Sequence, residues 1–124
     1  MDKIIYVFIG GGLGSVLRYL IGIWLQSSPY FMPYGTFGVN VAGSFLIGLI
    51  GGFSTRTGLH NPWIVYFLIA GFLGGFTTFS SFTFETVNML RNGDWAMAMV
   101  YVTTSLILGI LAASFGIYVS KIWA

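Results

Sequence analysis

Residues 74–85 read GGFTTFSSFTFE and stand inside an apolar run that extends from Trp63 to Leu90. The twelve positions hold two glycines, four phenylalanines, five Thr or Ser hydroxyls and one carboxylate. Gly71, Gly74 and Gly75 each lower helix propensity by about 1 kcal/mol relative to alanine. The hydroxyls of TTFSSFT can bond the backbone groups that a loosened helix releases. Non-helical backbone at membrane depth is tolerated only where protein buries it or where it lines a cavity. The helix ends at such a break present oriented N–H and C=O dipoles, which bind ions. The pattern therefore predicts a third helix interrupted near Gly74 to Thr78, with the break as an ion site. A continuous helix with a polar packing face is the competing reading. Phe79 and Phe82 are three residues apart and can share a helix face. Such a pair usually fills a core or faces lipid. A phenyl ring is positive at its edge, so edge-on rings among hydroxyls can also attract a small anion without holding it strongly.

Other polar residues fall at helical spacing. Asn40, Ser44, Gly48 and Gly52 recur at i+4, as do Tyr101, Ser105, Gly109 and Ala113, with Thr104 beside Ser105. A single hydroxyl commonly bonds back to its own helix. Asn40 is different, because its amide carries two donors and an acceptor that lipid cannot satisfy; it should face another helix or a polar cavity. Arg18 lies well inside the first apolar segment. A charge near the bilayer centre costs at least about 2.5–3.5 kcal/mol, so Arg18 is read as functional or structurally paired, against snorkelling to the interface. His60, the only histidine, stands beside Asn61 and Pro62 and is read as a solvated loop residue.

These residues need elements to carry them, and composition dictates which. Of 124 residues, 56% are hydrophobic and 6% charged. A soluble domain carries about a quarter charged residues, so no water-facing surface can be built and the chain is an integral membrane protein. Four segments, about 4–25, 35–53, 63–90 and 95–120, reach the roughly 20 residues that a bilayer-crossing helix needs. QSSPYFMP, STRTGLHNP and RNGD separate them, rich in Pro, Gly and Asn as loops are. The reading is a single all-α, four-helix transmembrane domain over 1–124. The N-terminal apolar stretch is broken by glycines and followed by Arg18 without a small-residue cleavage site, which marks a retained span and not a signal peptide.

The same composition excludes several functions. Absence of cysteine removes disulfides and thiol chemistry. Eight charged side chains with a net charge of +2 are too few for a nucleic-acid footprint. No GxxxxGK loop is present for ATP-driven work, and no His/Asp/Ser or metal-ligand constellation in the spans supports an enzyme. With a cytoplasmic N-terminus, Lys3, Arg56 and Lys121 would share one side and Arg91 the other, a bias too weak to set one orientation. Gly10/Gly14, Gly48/Gly52 and Gly71/Gly75 are each four apart, and such pairs let backbones approach in lipid. They suit packing within one chain as well as between two. A chain this small can hardly enclose an aqueous pathway alone, so transport would require an oligomer.

Three ordered motifs, GGGLGSVLRY (10–19), GTFGVNVAGSFLIG (35–48) and GFLGGFTTFSSFTFE (71–85), together resemble the Fluc family of bacterial fluoride channels, also called CrcB proteins. The likeness covers three spans by motif and the whole chain by length and layout; the fourth span matches more loosely, through Tyr101 and Ser105. It implies an antiparallel, dual-topology homodimer in the bacterial inner (plasma) membrane, among membrane lipid. Two pathways along the dimer interface would pass fluoride passively down its electrochemical gradient and relieve its toxicity. By the same resemblance Phe79 and Phe82 would present ring edges to the anion, and Asn40 would be the pore-facing amide. Ser80, Thr83 and Glu85 would belong to a polar track on the third helix and Tyr101 and Ser105 to its counterpart on the fourth, and Arg18 would stand near the entry vestibule. A structural sodium ion at the dimer centre would be held by backbone carbonyls of Gly74 and Thr77; no organic cofactor is implied. Gly109 occupies a position where some relatives carry a further hydroxyl, so the fourth-span track is shorter or shifted toward Thr104.

Two rivals make different demands. A proton-coupled small multidrug transporter needs a carboxylate in the first span, where this chain has Arg18. A non-transporting interaction subunit would use the glycine faces alone and leaves Arg18, Asn40 and the third span unexplained.

Overall fold

A computed structural model describes residues 1–25, 32–58 and 60–123. Helix α1 spans Asp2–Trp24 and α2 spans Tyr34–Thr57. The third span comprises a π-helix at Trp63–Leu73, a single turn α3 at Gly74–Phe76, and α4 at Ser80–Arg91. Helix α5 covers Trp95–Trp123. Four helical stretches, of 23, 24, 29 and 29 residues, are thus long and apolar enough to cross a membrane. Of the loops expected from the sequence, QSSPYFMP lies outside the described residues except for its last two.

Lipid is as apolar as leucine, so burying greasy side chains between helices gains little there; close backbone packing does the holding. The glycines supply it within this one chain. A methyl group at Gly10 would collide with the Phe67 carbonyl, and one at Gly14 with the Phe72 carbonyl. Helix α1 therefore lies flush against the π-helix. Likewise Gly48 of α2 abuts the Ala113 carbonyl and Gly116 of α5 abuts the Phe45 carbonyl, which clamps the most extensive helix pair in the fold. All six glycines of the four-apart pairs meet atoms of this same chain. The large apolar side chains mostly point outward: Phe8, Leu20, Ile110 and Phe115 are exposed, whereas Val39, Leu73, Phe76, Ala98 and Tyr101 form a small buried core.

Two expectations about boundaries change. Helix α2 continues past residue 53 to Thr57, because Thr55 and Thr57 donate to the Gly51 and Phe53 carbonyls and Gly58 ends the helix in a left-handed conformation (φ +66°). Gly74 and Gly75 remain helical; the departure comes later, at Thr77, whose backbone is extended (φ −86°, ψ 157°). Gly75 is small for a different reason than unwinding: a methyl there would strike the Gly11 carbonyl of α1. The third span as a whole is bent. Its π-winding was not foreseen from the sequence. RNGD forms the expected tight turn, with Gly93 at φ +82°.

Candidate functional site

The bend at Thr77 organises the site. In an unbroken helix the Thr78 N–H would donate to the Gly74 carbonyl. It donates instead to Asn40 Oδ1 at 2.8 Å, while Asn40 Nδ2 donates back to the Thr78 carbonyl at 2.9 Å. The amide of α2 thus substitutes for both helical partners of Thr78, which is the satisfaction that non-helical backbone in lipid needs. Thr77 sends both its N–H and its hydroxyl to the Leu73 carbonyl, at 3.0 and 2.9 Å. Across the bend, the Ser81 N–H donates to Thr78 Oγ1 at 3.2 Å.

Arg18 has a backbone partner on the third span. Its Nε donates to the Gly75 carbonyl at 3.0 Å, so the charge is tied to the turn that precedes the bend. These bonds account for the Gly75 and Thr78 carbonyls. Among the described residues, no N–H donates to the carbonyl of Gly74 or Thr77. The Phe76 carbonyl likewise accepts no N–H among the described residues, so several backbone oxygens at the bend, those of Gly74 and Thr77 among them, are left over.

Beyond the bend, rings and hydroxyls follow. Phe79 is 76% exposed, and its ring centroid lies 5.9 Å from that of Phe82. Phe82 lies 5.0 Å from Tyr101 with the rings inclined at 57°. Glu85 accepts two hydrogen bonds of 2.6 Å, one oxygen from Thr36 Oγ1 and the other from the Tyr101 hydroxyl. Both carboxylate oxygens are therefore engaged, in the short range typical of bonds to a charged acceptor. Thr36 was not singled out by sequence reasoning. The signal was present, because Thr36 precedes Asn40 by four and lies on the same face of α2.

The remaining hydroxyls divide. Ser80 Oγ lies 3.3 Å from Thr78 Oγ1, and Thr83 Oγ1 donates to the Ser80 carbonyl at 3.0 Å, so both bond locally. Ser44 and Thr104 bond back within their own helices. Ser105 Oγ is buried and has no partner among the described residues. Gly109 neighbours it on α5, and a methyl there would meet only Ser44 Oγ, at an ordinary 3.6 Å.

A cavity of about 630 Å³ between α2, the third span and α5 brings together Asn40, Gly74, Thr77, Phe79, Phe82 and Ser105. Ser80, Thr83, Glu85 and Tyr101 are not on its wall. Arg18 lines a separate cavity of about 340 Å³ with Thr36, Thr78 and Ser81. Thr78 lines both spaces, whereas its partner Asn40 lines only the larger.

Four apolar helices with amide, hydroxyl and ring groups gathered around a bend define a small multi-pass membrane protein with a polar interior face. Residues 5–117 match the family described as CrcB-like protein, Camphor Resistance (CrcB), and the chain belongs to that family. It is 40% identical to a Flavobacterium psychrophilum protein named fluoride-specific ion channel FluC, with 98% of each chain covered. Proteins of the same name from Gloeothece citriformis and Rhizobium meliloti are 44% and 43% identical over 98% and 94% of each chain.

Proposed function

We propose that this protein is a fluoride channel of the bacterial inner membrane, an antiparallel homodimer that releases fluoride passively through two pathways and so relieves its toxicity. It is a conducting protein and not an enzyme, as the names of its full-length relatives imply. The observation that carries the reading is the shared wall of the larger cavity. That wall holds Phe79, Phe82 and Ser105, whose buried hydroxyl has no partner among the described residues. Ring edges and a free O–H donor suit a small, strongly hydrated anion, while the absence of a cationic side chain from that wall avoids trapping it.

Each remaining residue then acquires a role. Asn40 holds the bend so that Phe79 and Phe82 follow it on a fixed helix start. Thr36 and Tyr101 saturate Glu85, which keeps a bare carboxylate from opposing the anion. Ser80 and Thr83 supply hydroxyls along α4, and Arg18 concentrates anions at the smaller cavity. The larger cavity carries polar groups on a face where Phe79, Leu106 and Ile110 are exposed. A second copy, inverted, would enclose that face.

A structural sodium ion fits the bend. The Gly74 and Thr77 carbonyls accept no N–H among the described residues, and hard cations prefer oxygen ligands. When bound, the ion would supply a fixed positive charge that offsets desolvation of nearby fluoride. The residues that would hold it are Gly74 and Thr77 of both copies, and interruption of the third helix is what leaves their oxygens without donors.

Fluoride efflux from liposomes that contain only this protein tests the function. Fluoride should leave readily and chloride should not. No fluoride flux, or equal flux of both anions, overturns the proposal.

A further inference from the structure

A third cavity lies away from the bend. It occupies about 520 Å³ between the C-terminal halves of α2 and α5, with Gly48, Gly51, Gly52 and Ala113 along its floor and Arg56 and Lys121 on its wall. Arg56 belongs to the last turn of α2 and Lys121 to the last turn of α5. The alternation of spans brings both helix ends to the same membrane face.

Basic residues at helix C-termini are favoured by the helix dipole alone. Two observations go beyond that. Both cations are exposed, and neither has an ion pair or hydrogen bond among the described residues. Between them begins a trench that runs inward over backbone and small side chains, as far as Ile47 and Ala113. The floor is open as well as apolar: a side chain added at Gly51 would meet nothing within 4 Å. A free phosphate would use the two cations and leave the trench empty. A second copy in parallel orientation would bring its own Arg56 and Lys121 against these.

We propose that this groove binds one anionic phospholipid, its phosphate between Arg56 and Lys121 and an acyl chain along the glycine floor. Basic pockets between membrane helices recognise anionic headgroups, with each nearby cation adding to the attraction. Gly48 and Gly52 are packed against α5, and Gly51, open beside them, leaves the space that the chain fills. The groove adjoins the larger cavity through Ile47 and Ala113, while its two cations stand at the opposite end, away from the bend.

Native mass spectrometry of the purified full chain tests it, with phosphatidylglycerol and phosphatidylcholine of identical acyl chains as probes. One phosphatidylglycerol per chain should be retained, and phosphatidylcholine should not. The double variant R56Q/K121Q should weaken retention roughly tenfold or more, while R56K/K121R and the out-of-groove control Lys3→Gln preserve it. Gly51→Leu keeps both charges and fills the floor, so it should also expel the lipid. Equal retention of the two lipids, or retention unchanged in R56Q/K121Q or in Gly51→Leu, overturns the proposal. So does displacement by millimolar inorganic phosphate, which would mark a site for the headgroup anion alone. Crosslinking of Arg56→Cys in one copy to Lys121→Cys in another would show a second copy in the groove and overturn it equally.

Discussion

Asn40 and Thr78 exchange two hydrogen bonds across 38 residues of sequence, and the exchange is worth more broken than made. Asn40→Ala leaves the Thr78 N–H and carbonyl without partners in a part-buried place, at a cost of about 1–3 kcal/mol. The expected result is a lower unfolding temperature in detergent together with reduced fluoride efflux. An unchanged unfolding temperature would mean that the clamp does not hold the bend. Phe79→Ile keeps bulk and removes the ring edge. Efflux should fall about 2- to 10-fold, the factor that matches the ~0.5–1.5 kcal/mol specific to aromatic geometry, while the dimer still assembles. Normal efflux would remove this ring from the pathway. Asn40 was legible in the sequence because an amide inside a span needs partners whatever the fold. Thr36 shares the Asn40 face by spacing, but its partner was not legible, because a lone hydroxyl in a helix ordinarily bonds back to its own backbone.

At the scale of elements, glycines divide into those that touch backbone and those that do not. Gly14 faces the Phe72 carbonyl, so Gly14→Ala must push α1 off the third span, a strain of about 1–3 kcal/mol. Gly109 faces only Ser44 Oγ at 3.6 Å, and Gly109→Ala gains up to about 1 kcal/mol of helix propensity. Thermal unfolding of the two variants in the same detergent should therefore move in opposite directions. Equal shifts would show that α1 does not need the close approach. Spacing alone placed Gly14 and Gly109 alike on helices and could not say which one meets a carbonyl. Low propensity marked the region from Gly74 to Thr78 but not the residue within it: Gly74 and Gly75 stay helical, Gly75 serves the contact with α1, and the backbone turns extended at Thr77.

Across the whole molecule the basic side chains show only a weak bias, which leaves insertion in both orientations open. Lys3, Arg56 and Lys121 gather at one end and Arg91 at the other. The chain has no cysteine, so Lys3→Cys introduces a single label site. In intact cells and in inverted vesicles, a membrane-impermeant thiol reagent should reach that site in comparable amounts. Labelling from one side only would defeat the antiparallel dimer. Labelling from both sides would also place the groove at Arg56 and Lys121 against both leaflets across a population of chains.

Four apolar segments, scarce charge and the polar positions within the spans were all determined by the sequence itself. Each depends on residue type and local spacing, and hydrocarbon enforces both strictly. Family membership was legible there too, since the motifs are contiguous. The pairing of polar groups was decided by the tertiary structure. Thr36 reaches Glu85 across 49 residues and Arg18 reaches Gly75 across 57. No helical period relates positions so far apart. Which hydroxyl is saturated, which carbonyl is left over and where the third span bends follow only once the helices are packed, because each donor takes whichever acceptor the neighbouring backbone presents.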